Sequence, residues 1–296
     1  MYLTGFADEA ATGIDGQIAA TKELGWSNIE SRAIDGTNIH DLTDEEFDVV
    51  YGKLADAGVT INCFGSAIAN WGKRIDEPFD SSVQETLRAI PRMKKLGTRL
   101  VRIMSFAVLE ERGPEDQMED ERFRRVGELC RMLGDEGIQA VHENCMNYGG
   151  MGWNYTLRLV ENVPGLKLVF DTGNPVFSKD RSKAQPYPEQ SAWDFYVHVR
   201  EHVEYVHIKD GYRDSESGED VFTFAGEGKG DVRRIVTDLV KNGYDGGISM
   251  EPHMAVVFHD ETVKNEDDVR YRNYVEYGQK FEALLEECRS AALTTP

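Results

Sequence analysis

The chain has 296 residues, 40% of them hydrophobic, so it is long enough to bury a large core. Its formal net charge of -20 disfavours nucleic acid and anionic membrane surfaces as partners, because binding a polyanion requires a basic face. The four cysteines form no CxxC pair, and the sequence has neither a secretory signal pattern nor an apolar run of membrane-spanning length. We therefore expect a cytoplasmic protein with free thiols.

Eight short apolar runs rich in β-forming residues alternate with longer segments of helical periodicity. The predicted strands cover residues 3–6, 28–31, 60–65, 100–105, 140–144, 167–171, 205–209 and 247–251. The predicted helices cover residues 15–25, 43–57, 80–96, 119–136, 152–162, 190–202 and 231–242, with a last one at about 265–290. The third helix is expected to begin with a cap formed by Asp80, Ser81 and Ser82.

Glycine stands between helix and strand in five of these repeats, where its left-handed conformation ends a helix well. The repeated unit of helix, glycine and strand indicates a parallel sheet. The simplest arrangement is a (β/α)8 TIM barrel forming one domain over residues 1–296, and the alternative is a doubly wound open sheet. The longest connections, 65–80, 106–118, 172–189 and 210–230, all follow strands. In a barrel such loops form the functional face.

The last four predicted strands each carry a side chain able to bind a metal, at or near the strand end and about one βα repeat apart. These residues are Glu143, Asp171, His207 and Glu251. Each alone has an ordinary explanation as an ion pair, a turn former or a core histidine. Together they occupy equivalent positions on adjacent strands, and a carboxylate at the end of a buried strand needs a partner or a metal. Three carboxylates and one imidazole predict one divalent ion, with Mn²⁺ favoured and Mg²⁺, Co²⁺ or Zn²⁺ also compatible.

The segments VHEN, VFDTGN, VHIKD, GEGKGD and SMEPH resemble the xylose-isomerase-like barrel superfamily of sugar (phosphate) isomerases and epimerases over roughly residues 1–260. Within it the sequence is most similar to ketose 3-epimerases, inosose dehydratases and hydroxypyruvate isomerases. The resemblance implies that Glu143 and Glu251 bind metal and exchange protons with substrate, and that Arg213 binds substrate. The sequence departs from many relatives at Asn174 and Cys145, where they have histidine.

Further substrate contacts are expected from Asn174, Lys209, His253, Trp71 and Glu30. Alternation along the strand directs Lys209 into the site, where it would stabilise an oxyanion or bind an anionic group; the alternative is a rim lysine paired with Asp210. Glu30 ends the second strand and is expected to line the opposite side of the pocket. Trp71 would cover a sugar ring face or serve packing.

A glycine-rich segment, residues 226–231, precedes the seventh helix. Such a loop at a helix N-terminus can hold a phosphate, but its own acidic residues oppose an anion. We interpret it as a turn with Asp231 as the N-cap of the helix.

These features predict a metal-dependent sugar or sugar phosphate isomerase or epimerase that moves a proton next to a carbonyl through an enediolate. Two alternatives remain: a lyase or dehydratase acting on inosose-like or 3-keto-glycoside substrates, and a sugar-binding barrel without turnover. The expected partner is a small carbohydrate. The apolar stripe of the last helix would allow a homo-oligomer.

Overall fold

The computed structural model describes residues 1–255 and 267–294. Its strands are β1 (Tyr2–Gly5), β2 (Asn28–Ser31), β3 (Ala33–Ile34), β4 (Thr37–Asn38), β5 (Thr60–Gly65), β6 (Leu100–Ile103), β7 (Gln139–Glu143), β8 (Lys167–Asp171), β9 (Val203–Ile208), β10 (Asp210–Arg213), β11 (Asp220–Thr223) and β12 (Gly247–Met250). Its α-helices are α1 (Ile14–Glu23), α2 (Asp44–Ala57), α3 (Asp80–Leu96), α4 (Glu119–Gly134), α5 (Trp153–Asn162), α6 (Asn174–Phe177), α7 (Ala192–Val199), α8 (Val232–Lys241) and α9 (Asp267–Thr294).

Eight of these strands form one parallel sheet in the order β1-β12-β9-β8-β7-β6-β5-β2. Its two end strands, β1 and β2, meet at a seam. There a single bridge joins Phe6 to Glu30, and the Thr4 hydroxyl donates to the Asn28 carbonyl at 3.0 Å. The sheet is therefore a nearly closed TIM barrel, which confirms the predicted fold and excludes the doubly wound sheet.

The predicted strands are confirmed, and several of them begin or end one or two residues away from the expected positions. The two hairpins β3–β4 and β10–β11 were not predicted. β3 and β4 have only two residues each, and β10 (DGYR) and β11 (DVFT) mix charged and apolar residues without an apolar run. The last predicted helix corresponds to α9, and residues 265 and 266 of its expected range lie outside the described residues.

The residues at the ends of the helices show which of the expected caps form. Helix α2 begins at a capping box in which Thr43 and Glu46 each accept from the other's backbone, and it ends at Gly58 with φ of 66°. The expected cap of α3 is wrong: its N-cap is Phe79, which makes no side-chain bond, and Asp80 already lies inside the helix. None of the helices in the described part of the chain is long and apolar enough to cross a membrane.

The barrel interior is layered, and the layers position the polar side chains. Val141, Val169 and Tyr205 point inward and pack together with Cys63 as a small apolar cluster. Side chains two residues further along a strand lie on the same face. The next inward layer on β7, β8 and β9 therefore consists of Glu143, Asp171 and His207, all buried. The larger core lies between the sheet and the surrounding helices.

Candidate active site and metal centre

Four side chains converge above the apolar layer, at the C-terminal ends of the strands. Glu143, Asp171, His207 and Glu251 each offer one ligand atom, and these atoms lie within 4.8 Å of one another. All four residues are buried. Glu251 directly follows β12, and the other three lie on β7, β8 and β9. The four residues expected from the sequence to share a site are thus brought together.

Glu30 fixes the orientation of His207. Its carboxylate oxygens lie 3.1 and 3.0 Å from His207 Nε2, and both side chains are fully buried. The Nδ1 atom consequently faces the cluster, 3.8 Å from Glu143 Oε1 and 4.0 Å from Asp171 Oδ2. Burial alone would lower the pKa of His207, but the charges of Glu30 and Glu143 outweigh it and raise the pKa to about 10.

The position of Glu30 corrects one expectation. Glu30 is not among the residues that line the cavity above the cluster, so it does not form the opposite wall of the pocket. Its side chain is fully buried and contacts His207 Nε2, on the side of the imidazole away from the cluster. A carboxylate that holds the far nitrogen of a metal-binding histidine is a common supporting partner in metal sites.

Two buried atoms of the cluster lack a hydrogen-bond partner among the described residues: Asp171 Oδ2 and His207 Nδ1. The other Asp171 oxygen accepts from the backbone nitrogens of Gly173 and Asn174, at 2.8 and 2.7 Å. Lys209 Nζ lies 3.2 Å from Oδ2 as an ion pair without hydrogen-bond geometry. Unpaired buried polar atoms are costly, and an oxygen-rich set with one imidazole suits a hard divalent ion. The donor set therefore fits a metal ion.

Glu143 is held by a cation and an amide. Arg102 donates to Oε2 at 2.9 Å, and Asn174 Nδ2 donates to Oε1 at 2.9 Å. Burial raises the pKa of this carboxyl, yet Arg102 and His207 together outweigh burial and lower the pKa to about 2. Arg102 was missed in the sequence, although an arginine inside the buried strand LVRI is itself a sign that a carboxylate lies nearby.

Glu251 is held by two cations. Arg32 donates to Oε1 at 2.7 Å, and Lys209 Nζ donates to Oε2 at 2.7 Å. Burial raises the pKa of Glu251, but Lys209 and its other cationic neighbours lower it well below the usual range. Lys209 therefore points into the site, and its ion pairs are with Asp171 and Glu251 rather than with Asp210. Arg32, just after β2, was also missed in the sequence.

A cavity of about 370 Å³ opens above the cluster. Five of the residues expected to contact substrate line it together with Glu143 and Glu251: Trp71, Asn174, Lys209, Arg213 and His253. Arg213 stands at the rim, where its Nε donates to Asp220 at 2.8 Å. His253 Nδ1 lies 2.9 Å from Glu9 Oε1, and its Nε2 lies 3.7 Å from Glu251 Oε1.

The glycine-rich loop before α8 binds the carboxylate of Asp210 through its backbone N–H groups. The Asp210 carboxylate accepts from the backbone nitrogens of Gly211 and Gly230 on one oxygen, at 2.9 and 2.8 Å, and from those of Gly226 and Gly228 on the other, at 2.8 and 3.1 Å. The loop is therefore a turn closed on Asp210. Asp231 is the N-cap residue, as expected, but its side chain makes no capping bond.

The fold and this cluster define a TIM barrel whose strand ends gather acidic side chains and a histidine able to bind a divalent metal. The chain belongs to the xylose isomerase-like TIM barrel family, whose model matches residues 18–271. No curated protein matches the sequence.

Solved structures similar to the chain share its fold at low sequence identity. A xylose isomerase-like TIM barrel protein from Mycobacterium smegmatis, in complex with magnesium, has 18% identity and a TM-score of 0.68, over 96% of this chain and 97% of that chain. An L-ribulose 3-epimerase has 17% identity and a TM-score of 0.69, over 99% and 98%. A probable 3-DHS dehydratase from Bacillus anthracis has 14% identity and a TM-score of 0.67, over 93% and 97%.

Proposed function

We propose that the chain is a divalent-metal-dependent sugar isomerase or epimerase that moves a proton on a carbon next to a carbonyl. The observation that carries this proposal is the pair of buried carboxylates, Glu143 and Glu251, which share one ligand cluster and one cavity. Similarity to an L-ribulose 3-epimerase and a D-tagatose 3-epimerase-like protein supports the class of reaction. The proposed substrate is a small ketose, free or phosphorylated.

The electrostatics of the pair suit proton abstraction. The pKa of Glu143 is about 2 and that of Glu251 lies well below its usual range, so both are ionised at neutral pH. A carboxylate that is ionised and within hydrogen-bond reach of a carbon acid can act as a base. If one of the two removes the proton and the other returns it from the opposite face, the carbon centre is inverted.

The cations around these carboxylates can stabilise the charge that proton removal creates. Proton removal places negative charge on the substrate oxygens, and donors already oriented in a buried site stabilise that charge strongly. Lys209 and Arg102 are buried and line the cavity, so both can bind the developing oxyanion. Asn174 is placed to donate to a substrate hydroxyl if it releases Glu143.

Glu143, Asp171, His207 and Glu251 would hold the metal, for which we propose Mn²⁺. Such an ion supplies Lewis acidity, which lowers the pKa of the carbon acid next to a coordinated carbonyl.

Solvent exchange tests the proposal. Protein stripped with a chelator and reloaded with Mn²⁺ is incubated in D₂O with ketoses and ketose phosphates, and proton NMR follows the signal next to the carbonyl. We expect metal-dependent loss of this signal and formation of an epimer or aldose. Loss of a hydroxyl as water would instead identify a dehydratase, and binding without exchange would identify a non-catalytic sugar-binding protein.

The variants Glu143→Gln and Glu251→Gln should abolish exchange, whereas Glu161→Gln, at an exposed position on α5, should not affect it. Because both site residues are also proposed ligands, bound Mn²⁺ must be quantified in each variant by electron paramagnetic resonance. Full exchange in a metal-loaded Glu143→Gln variant would contradict the role of Glu143.

A further inference from the structure

The Phe6 ring contacts three groups of the candidate site without facing the cavity. Phe6 directly follows β1, is fully buried, and is not among the residues that line the cavity above the cluster. Its ring centroid lies 4.4 Å from Arg32 Cζ and 5.3 Å from Arg102 Cζ. The imidazole of His207 meets the same ring in an edge contact, with centroids 5.0 Å apart. One aromatic ring therefore joins two cations and a proposed metal ligand.

The two cations hold the two carboxylates to which we assign proton exchange. Arg32 donates to Glu251 at 2.7 Å, and Arg102 donates to Glu143 at 2.9 Å. A shift of either guanidinium group would move the carboxylate bound to it. The Phe6 ring thus bears on both carboxylates through their arginine partners.

The contacts between Phe6 and the two arginines are attractive as well as close. A guanidinium group within about 6 Å of an aromatic ring centroid is attracted to the ring face, and more strongly where water is excluded. The side chains of Arg32 and Arg102 are only 12% and 7% exposed. The two guanidinium groups carry like charges and repel each other. A ring that attracts both opposes this repulsion, whereas an aliphatic side chain would only fill the space.

The backbone of β5 helps to keep the ring in place. A Cβ atom at Gly65, the last residue of β5, would lie 2.4 Å from Phe6 Cε1. The ring edge therefore packs directly against the Gly65 backbone, which limits how far the ring can move.

We propose that Phe6 is a positioning residue for the proton transfer. By cation–π attraction it fixes Arg32 and Arg102 and, through these arginines, the two carboxylates that they hold. The proposal rests on the proposed function, since it treats these carboxylates as the groups that exchange protons. Misplacing a reacting group by about 1 Å can lower a rate by roughly 100-fold, so loss of the attraction should lower kcat. It should leave KM unchanged, because Phe6 does not line the cavity that substrate would enter.

Fluorination of the Phe6 ring tests the proposal, because each fluorine withdraws electron density from the ring face and changes the shape of the ring very little. Mono-, di- and trifluorinated phenylalanine are placed at position 6 of the full-length protein, which is loaded with Mn²⁺ and assayed for proton exchange with ketoses in D₂O. We expect kcat to fall with each added fluorine, by about tenfold over the series, with KM unchanged. The control is Phe195, a buried ring packed against Phe170 with centroids 5.8 Å apart. The same fluorination of Phe195 should leave kcat unchanged.

A second readout does not depend on activity. In metal-free protein with isotope-labelled arginine, NMR measures the rotation of each guanidinium group about its Nε–Cζ bond. We expect this rotation to become faster for Arg32 and Arg102 as fluorines are added to Phe6. It should stay unchanged for Arg92, which lies over the Phe47 ring instead.

Unchanged rotation of Arg32 and Arg102 across the fluorinated series overturns the proposal and leaves Phe6 as a packing residue. A rise in KM at constant kcat also overturns it, because the ring would then act on substrate binding. If the unmodified protein exchanges no ketose proton, the proposed function fails. The rotation of the two arginines then decides on its own whether Phe6 fixes them.

Discussion

Lys209 donates to Glu251 at 2.7 Å within the group of side chains that would hold a metal ion. The same ammonium lies 3.2 Å from Asp171, so one lysine neutralises part of the charge on two proposed ligands. Burial lowers the pKa of Lys209, but the carboxylates outweigh it and hold the pKa above its usual range, so the lysine stays charged. Lys209 is thus an internal counterion of these carboxylates and would compete with a metal ion for them.

Replacing this lysine should strengthen the response to metal. In Lys209→Met the buried carboxylates of Asp171 and Glu251 lose a cation, which destabilises the metal-free protein, and a positive charge no longer opposes the ion. We expect Mn²⁺ to raise the Tm of Lys209→Met by several degrees more than it raises that of the wild type. Differential scanning calorimetry with and without metal measures this, and Lys229→Met, on the exposed loop, is the control. An equal or smaller rise would show that Lys209 does not compete with metal.

The contact between Glu30 and His207 should increase metal affinity, although Glu30 itself is not a proposed ligand. Without the carboxylate on Nε2, the imidazole loses its fixed orientation and part of its basicity at Nδ1. We expect Glu30→Ala to weaken Mn²⁺ binding by about 10- to 100-fold. Calorimetric titration of chelator-treated protein measures the affinity, with Glu45→Ala at an exposed position of α2 as the control. Unchanged affinity would mean that His207 does not bind the ion through Nδ1.

Asp210 should stabilise the protein through the four backbone groups that it binds. An asparagine has one acceptor oxygen and places an NH₂ group against backbone donors, so Asp210→Asn should reduce the free energy of unfolding by about 3 kcal/mol. Asp231→Asn should change it by less than about 0.5 kcal/mol, because the exposed Asp231 side chain makes no capping bond. Urea denaturation measures the free energy of unfolding of both variants and of the wild type. Similar effects of both would show that the loop does not depend on Asp210.

His40 should make stability depend on pH. It is fully buried, its Nε2 accepts from the Ala67 nitrogen at 3.2 Å, and burial lowers its pKa to about 4. Between pH 6.5 and 4 the unfolded chain binds a proton that the folded protein does not, so stability falls as pH falls through this window. The loss should reach about 2 kcal/mol at pH 5.

His40→Gln should remove this loss, because glutamine can accept the same bond and does not titrate. The free energy of unfolding at pH 5 and pH 7 is compared in the two proteins, and His198→Gln, at an exposed position on α7, serves as the control. The buried His142, whose pKa burial also lowers to about 4, contributes a similar loss that remains in both. A His40→Gln variant as acid-sensitive as the wild type would contradict the prediction.

The strands and the ligand cluster could be predicted because both depend on local spacing. Alternation fixes which side chains of a strand point inward, and parallel strands deliver their last residues to one end of a barrel. The sequence alone therefore predicts that Glu143, Asp171 and His207 lie close together. The same reasoning predicted that Lys209 points inward. It could not determine whether the ion-pair partner of Lys209 is its neighbour Asp210 or the more distant Asp171 and Glu251.

The supporting contacts could not be predicted because they join residues far apart in the sequence. Glu30 and His207 meet only when β2 closes against β1, and nothing in either strand's pattern specifies that approach. Arg32 and Arg102 reach their carboxylates through long flexible side chains, whose end points alternation does not fix. The hydrogen bonds between Asp210 and the glycine-rich loop span 16 to 20 residues, so the sequence pattern of neither segment predicts them.

The seam between β1 and β2 links barrel closure to the chemistry of the site. With one bridge and one side-chain bond across it, the backbone amides of β2 that face β1 should exchange hydrogen for deuterium before those inside the ladder. Glu30 is part of that bridge and contacts His207, so we expect an ion bound by His207 to stabilise the seam through Glu30. Slower exchange at the seam after addition of Mn²⁺ would then report an occupied site, and binding of the ion would oppose opening of the barrel.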